Sequence, residues 1–226
     1  MTLRHLGIIP DGNRRWAKAH GLDSLAGHKE GVKTLKNICY QALENGVEIV
    51  TYYAFSTENW KRTPKEVKYL MELFIENLSK DISEVHEKNI KFKMIGRRDG
   101  LSDRLINAIL KAESLTSNNS GGTLVIAINY GGEQEIADAL VKLYGRDLDK
   151  SEITPDLIAD NLYCPEIPSV DLLIRTSGEK RISGFMLWRA AYAEFYFVEK
   201  YWPDFSRSDL IEAIDDYNKR KRRFGE

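Results

Sequence analysis

Residues 5–16, HLGIIPDGNRRW, bring a carboxylate, a glycine, an amide and two guanidinium groups into one turn between an apolar run and a helix start. Free backbone N–H groups at a helix start favour an anion, and Gly12 lets the backbone approach it closely. Asn13 adds an amide, and Arg14 or Arg15 can add paired hydrogen bonds to phosphate oxygens. The chemistry expected of this turn is therefore diphosphate binding. Asp11 does not suit a bare anion site, because its charge repels a diphosphate. A divalent cation, most simply Mg²⁺, shared between Asp11 and diphosphate oxygens would remove that repulsion. The plainer alternative is that Asp11 only caps the helix while the arginines are solvated.

Two more polar turns follow apolar runs. In residues 55–62, FSTENWKR, Ser56 and Asn59 can bond a polar head, Arg62 can hold an anion and Trp60 adds an apolar wall. In residues 171–188, DLLIRTSGEKRISGFMLW, the donors Arg175, Arg181 and Ser183 suit a second anionic group, although Glu179 or Asp171 could equally absorb the arginines in salt bridges. Glu194 lies among aromatic residues in AYAEFYF and needs a partner if buried.

The elements that must position these turns alternate regularly. Residues 3–9 read as a buried strand stopped by Pro10-Asp11-Gly12-Asn13, and residues 27–45 as a helix ended by Gly46. Residues 49–55 form the next strand. Thr63-Pro64-Lys65-Glu66 reads as a capping box opening a long amphipathic helix through Val85. Strands at 90–95 and 123–128 and helices at 105–110 and 132–143 continue the alternation, and Thr154-Pro155 opens a short helix. Strands at 171–174 and 195–198 and a helix capped by Ser206 complete it. Such units predict an α/β fold with a mainly parallel central sheet flanked by helices, in which ligands bind outside the carboxyl ends of the strands. GxGxxG and GxxxxGK[ST] are both absent, so this is not a Rossmann dinucleotide site or a Walker A loop.

Composition narrows the classes further. The 226 residues carry 33 Lys+Arg against 34 Asp+Glu and are 42% hydrophobic, so the chain can bury a core and has no global field to recruit nucleic acid. One domain spanning residues 1–226 is expected. The basic run 219–223 reads as a solvated helix end. Cys39 and Cys164 form no CxxC pair, which argues against a disulfide scaffold and for a cytoplasmic protein. No signal peptide or spanning segment is visible.

Taken together, the motifs resemble the cis-prenyltransferase family over nearly the whole chain, in the same order: HLGIIPDGNRRWAK, GHKEG, YAFSTENWKR, NYGG, DLLIRTSGEKRIS and LWRAAYAEFYF. The resemblance implies Mg²⁺-dependent condensation of isopentenyl diphosphate onto an allylic prenyl diphosphate with a new cis double bond. It implies Asp11 as the catalytic, metal-linked aspartate and Glu194 as a second member of the metal site. Gly12, Asn13 and Arg15 would hold the allylic diphosphate, His28 would assist its departure and Trp16 would border the chain. Ser56 and Asn59 would sit near the reacting carbons, with Trp60 and Arg62 shaping the pocket, while Arg175, Arg181 and Ser183 would hold isopentenyl diphosphate. The long helix from Pro64 would line a hydrophobic product tunnel, and Ala54 hints at a medium-length product. A homodimer is implied, with Arg223 and Gly225 of an RxG reaching the partner's site, and membrane contact would be peripheral and transient. No DDxxD occurs, which argues against trans-prenyltransferases. Ser24, Glu133, Gly184 and Pro10 depart from the usual arginine, arginine, asparagine and methionine. These departures keep two alternatives open, irregular coupling of allylic diphosphates and a non-catalytic subunit of a heteromeric enzyme.

Overall fold

The computed structural model describes residues 3–220. Arg223 and Gly225 lie outside the described residues.

Six parallel strands form one sheet in the order β3-β4-β2-β1-β5-β6. They are β1 His5–Ile9, β2 Ile49–Ser56, β3 Lys91–Ile95, β4 Thr123–Tyr130, β5 Leu172–Arg175 and β6 Glu194–Phe197. The helices are α1 Asn13–Ala19, α2 Ser24–Glu44, α3 Pro64–Glu87, α4 Asp103–Leu115, α5 Gly132–Leu143, α6 Pro155–Ala159 and α7 Arg207–Lys219. Parallel strands need crossovers, and the alternation of strand and helix in the sequence supplies them. From β1 the chain builds outward through β2 to β4 and β3 on one side, then returns to add β5 and β6 on the other. The order therefore reverses between β1 and β5, and a crevice opens there beyond their carboxyl ends.

The pleat sends alternate residues to opposite faces. Leu6, Ile8, Val50 and Tyr52 join a core with α2, α3, α4 and α7, whereas Ile9, Tyr53, Val125 and Ala127 pack on Phe185, Met186 and Ala190. The second face is thus covered largely by irregular chain between 162 and 193 rather than by a long helix. A buried ion pair, Arg189 Nη1 to Glu135 Oε1 at 2.8 Å, ties that segment to α5, and the Tyr130 hydroxyl donates to the same carboxylate at 2.6 Å.

Element boundaries differ from expectation where side chains cap. α2 begins at Ser24 rather than Gly27, because Asp23 accepts the Leu25 N–H at 2.8 Å. Residues 57–61, expected as a polar loop, form a 3₁₀ turn.

His5 sits fully buried at the base of the sheet. The Pro168 carbonyl can only accept, so Nδ1 carries the proton at 2.9 Å and Nε2 accepts from the Thr51 hydroxyl at 2.7 Å. Burial holds its pKa down, from 6.5 to about 4, against the Pro168 hydrogen bond. Between those values the unfolded chain binds the extra proton and the folded chain does not, so stability is full above pH 6.5 and falls toward pH 4. The loss is about 3 kcal/mol. Urea unfolding across this range is expected to show the slope, and His5→Asn is expected to flatten it.

Candidate functional site

Asp11 lies two residues beyond the end of β1, and Arg175 ends β5 in register with Ile9, so the topology alone brings them together. Arg175 is buried, with its side chain 5% exposed. It donates from Nη2 to Asp11 Oδ2 at 2.9 Å and from Nη1 to Ser183 Oγ at 2.9 Å and to the Arg181 carbonyl. Arg15 approaches the other Asp11 oxygen at 3.1 Å. Burial alone would push the Asp11 carboxyl up, but the Arg175 hydrogen bond and the charges of Arg175 and Arg15 outweigh it and hold the group below its usual range. Asp11 is not the helix cap. That position is Gly12, at φ 101°, where an added Cβ would come within 2.8 Å of both Ser177 Oγ and Tyr201. Asp11 Oδ1 instead accepts the Gly12 N–H at 2.8 Å.

The GHKEG motif has a steric reason. A Cβ on Gly27 would lie 1.9 Å from the Asn13 carbonyl oxygen, and one on Gly31 would lie 2.4 Å from Asn13 Oδ1. Four residues apart, these two glycines lie on one face of α2 and let it pack against the start of α1. His28, between them, faces the cavities. Its Nε2 meets Glu66 Oε1 at 3.3 Å. Glu66 also receives Arg62 at 3.0 Å and Arg14 at 3.6 Å. The expected capping box is therefore half formed: Thr63 accepts the Glu66 N–H at 3.3 Å, but the Glu66 carboxylate turns to the site. Nothing in the sequence separated Glu66 from an ordinary cap.

Burial lowers the His28 pKa, the Arg62 charge lowers it further, and Glu66 opposes both. Glu66→Gln is expected to lower the His28 pKa further, as read by imidazole NMR titration. The same variant should destabilise the fold by about 1–3 kcal/mol through loss of a mostly buried charge partner.

At the end of β2 the pairing with β4 slips twice. Ala54 is extra on β2 and Asn129 is extra on β4, the latter at φ 51°. These bulges precede the 3₁₀ turn in which Asn59 Oδ1 accepts the Ser56 N–H at 3.2 Å. Trp60 turns the other way, donating from Nε1 to Asn129 Oδ1 at 2.7 Å and standing edge-on to Phe55. Opposite, the Gly132 N–H donates to the Gly184 carbonyl at 2.9 Å, and a Cβ on Gly132 would sit 2.3 Å from that oxygen. Gly184 has φ 73°, a conformation glycine and asparagine share most easily, so glycine for asparagine leaves this turn intact. Ser177 and Ser183 also have positive φ, at 78° and 49°. Strain of this kind costs about 1–3 kcal/mol per residue and gathers at functional loops.

These groups line a cleft of about 850 Å³. Asp11, Asn13, Arg62, Arg175 and Ser183 form its cationic pole, Ser56, Asn59, Glu58 and Glu133 its polar rim, and Ala54, Tyr52 and Leu70 an apolar side. Asn13, His28, Tyr52, Ala54 and Leu70 also border an adjoining, mostly apolar chamber of about 140 Å³ between α2, α3 and the sheet. Around the cationic pole, Arg175 Nε, Asn13 Oδ1 and Ser177 Oγ are buried and make no hydrogen bond to the described residues, and of the three only Arg175 Nε can donate to an anion in the cleft that Arg175 lines.

Other expected residues lie elsewhere. The Arg181 guanidinium is 60% exposed and bound to Glu179, which also holds Arg15; only its carbonyl reaches Arg175. Trp16 donates from Nε1 to Asp204 at 2.7 Å and packs on His20 instead of bordering the cleft. Glu194 pairs in register with Leu172, three residues before Arg175, which is about 10 Å along the strands from the Asp11 end. It is bound to Arg220 at 2.8 Å, and so is not brought beside Asp11. Among the described residues, no group of three or more His, Cys, Asp or Glu could hold a metal ion, and no helix is long and apolar enough to cross a membrane.

The model of a family described as putative undecaprenyl diphosphate synthase matches residues 9–225. An undecaprenyl-diphosphate synthase of Aliivibrio fischeri, described as ditrans,polycis and specific for (2E,6E)-farnesyl diphosphate, is 46% identical over 98% of this chain and 88% of its own length. An isoprenyl transferase of Rickettsia bellii is 47% identical over 99% of this chain and 98% of its own. Among solved structures, lavandulyl diphosphate synthase from Lavandula x intermedia in complex with dimethylallyl diphosphate superposes with a TM-score of 0.96. It is 36% identical over 100% of this chain and 99% of its own. A probable undecaprenyl diphosphate synthase of Campylobacter jejuni gives a TM-score of 0.84 at 29% identity over 99% of both chains.

Proposed function

Because this chain belongs to the undecaprenyl diphosphate synthase family of prenyltransferases, we propose that it condenses isopentenyl diphosphate with an allylic prenyl diphosphate to give a cis-polyprenyl diphosphate. The observation that carries this reading is the Asp11–Arg175 pair at the mouth of a cleft that continues into an apolar chamber. A diphosphate would sit at the cationic pole, with its prenyl chain running toward the chamber.

Arg175 and Ser183 would hold the isopentenyl diphosphate, with Arg181 joining them by leaving Glu179. Asn13, with the Gly12 backbone and Arg15, would hold the allylic diphosphate. Ionising its carbon–oxygen bond leaves the electron pair on the diphosphate, so positive groups aimed at that oxygen stabilise the transition state. His28, held by Glu66, would steady the departing group. Tyr52 and Ala54 would keep water from the cationic carbon while the isopentenyl double bond attacks it and the resulting cation gives up a C2 proton to the released diphosphate, leaving the new double bond, with Ser56 and Asn59 beside the reacting carbons.

Mg²⁺ fits this donor set, since it commonly takes one or two protein carboxylates and completes its shell with phosphate oxygens and water. Asp11 would hold it, and it would neutralise charge growing on the leaving diphosphate. Glu194 could join only by leaving Arg220. We further propose that residues 1–226 act as one catalytic domain in a homodimer that meets membranes only peripherally.

Purified protein incubated with Mg²⁺, labelled isopentenyl diphosphate and geranyl, farnesyl or longer primers is expected to give a ladder of cis products. No incorporation by folded protein with any primer would refute the reading. A second reading, coupling of two allylic diphosphates, draws on the likeness to lavandulyl diphosphate synthase and on acidic Glu133 at the cleft rim. It predicts product without isopentenyl diphosphate.

A further inference from the structure

The apolar stripes of α2 and α3 that face the chamber are interrupted by charge. Between Leu35 and Cys39 on α2 stands Lys36, and between Leu78 and Ile82 on α3 stands Asp81, all of them lining the chamber. Lys36 Nζ lies 2.9 Å from Asp81 Oδ1 and 2.5 Å from Glu84 Oε2, bridging the two helices across the chamber seam. One turn further along α2, the Tyr40 hydroxyl is buried and makes no hydrogen bond to the described residues.

The volume sets the problem. A cavity of about 150 Å³ holds one six-carbon ring. The chamber, at about 140 Å³, therefore takes roughly one five-carbon unit beyond the cleft. A longer chain requires a wall to move. The sheet side is fixed by backbone hydrogen bonds between β2, β4 and β3. The α2–α3 side is closed at this seam by groups 25–40% exposed, which can separate into water without stranding a buried charge.

We propose that Lys36, Asp81 and Glu84 form an ionic clamp that limits how far α2 and α3 part, and so limits the length of prenyl chain the chamber accepts. This rests on the prenyltransferase reading. Lys36→Met removes the charge and keeps the stem, Asp81→Asn with Glu84→Gln removes the opposite charges, and Lys36→Arg preserves the clamp. With a short allylic primer, the first two variants are expected to shift the dominant product upward by at least one five-carbon unit. Their first condensation should stay within about twofold of the parent rate, and Lys36→Arg should match the parent.

A second measurement needs no turnover. The ratio of hexadecyl phosphate to hexyl phosphate affinity, by calorimetry, is expected to rise about tenfold in both clamp-breaking variants, a difference of about 1.4 kcal/mol. If the parent makes no polyprenyl product, the prenyltransferase reading fails and the alkyl phosphate ratio still decides the clamp. Folded variants with parental product length and parental ratio would overturn the clamp, as would a change in Lys36→Met alone.

Discussion

Asp11→Asn is expected to cut prenyl transfer at least about a thousandfold, equivalent to about 4 kcal/mol of lost transition-state stabilisation. The change is nearly isosteric, so it isolates the charge. Asp11 is the carboxylate placed between Arg175 and Arg15 at the cationic pole, and it stays ionised because those two cations outweigh its burial. Asparagine keeps one acceptor for Arg175 but cannot take the place of an anion that offsets two guanidiniums and, in the proposed mechanism, would hold a cation against a diphosphate. The fold should survive, because Arg175 retains Ser183 Oγ and the Arg181 carbonyl, and Asp11 is 31% exposed so that water can reach the vacated charge. The result to look for is a circular dichroism spectrum like the parent's together with a collapsed turnover and no response to rising Mg²⁺. Turnover within tenfold of the parent would remove Asp11 from the mechanism.

How much of this was readable beforehand follows from what each feature depends on. Strand and helix order depends on periodicity and punctuation, which are local, so the parallel sheet and its crevice were expected correctly. That the turn after β1 meets the end of β5 follows from strand order, and residues of types that can pair stood ready in both segments. Geometry made by backbone detail was not readable. The compensating bulges at Ala54 and Asn129 leave no mark in residue type beyond an asparagine that tolerates φ 51°. Gly27 and Gly31 could be seen as a spaced pair, but only the packing of α2 on Asn13 shows that neither position has room for a methyl group.

Charged side chains were the least predictable, because each chooses among several partners at small energetic differences. Glu66 looked like a cap and serves the site, whereas Arg181 looked like a site residue and sits on Glu179. Trp16 and Glu194 likewise found partners, Asp204 and Arg220, that only the tertiary fold supplies.

Arg175→Lys carries the other large effect, and it tests geometry where Asp11→Asn tests charge. The guanidinium fork reaches Asp11 through one nitrogen and Ser183 and the Arg181 carbonyl through another, while Nε is buried and makes no hydrogen bond to the described residues. A lysine ammonium is a single point on a flexible stem and cannot span those directions at once. The expected result is a kcat/KM for isopentenyl diphosphate lower by about a hundredfold, or roughly 3 kcal/mol, most of it in KM. A merely structural role for Arg175 would lower stability without moving pH dependence, so the pH profile separates the two. Arg175 is the strongest influence holding the Asp11 carboxyl down, and its weakening lets that pKa rise. In the proposed mechanism activity needs the ionised carboxylate, and it is then lost as pH falls through the Asp11 pKa. The acid limb of the kcat/KM profile should move to higher pH in Arg175→Lys, and further in Arg175→Gln, which removes the charge altogether. An acid limb unmoved in both variants would show that Asp11 and Arg175 do not act as a pair.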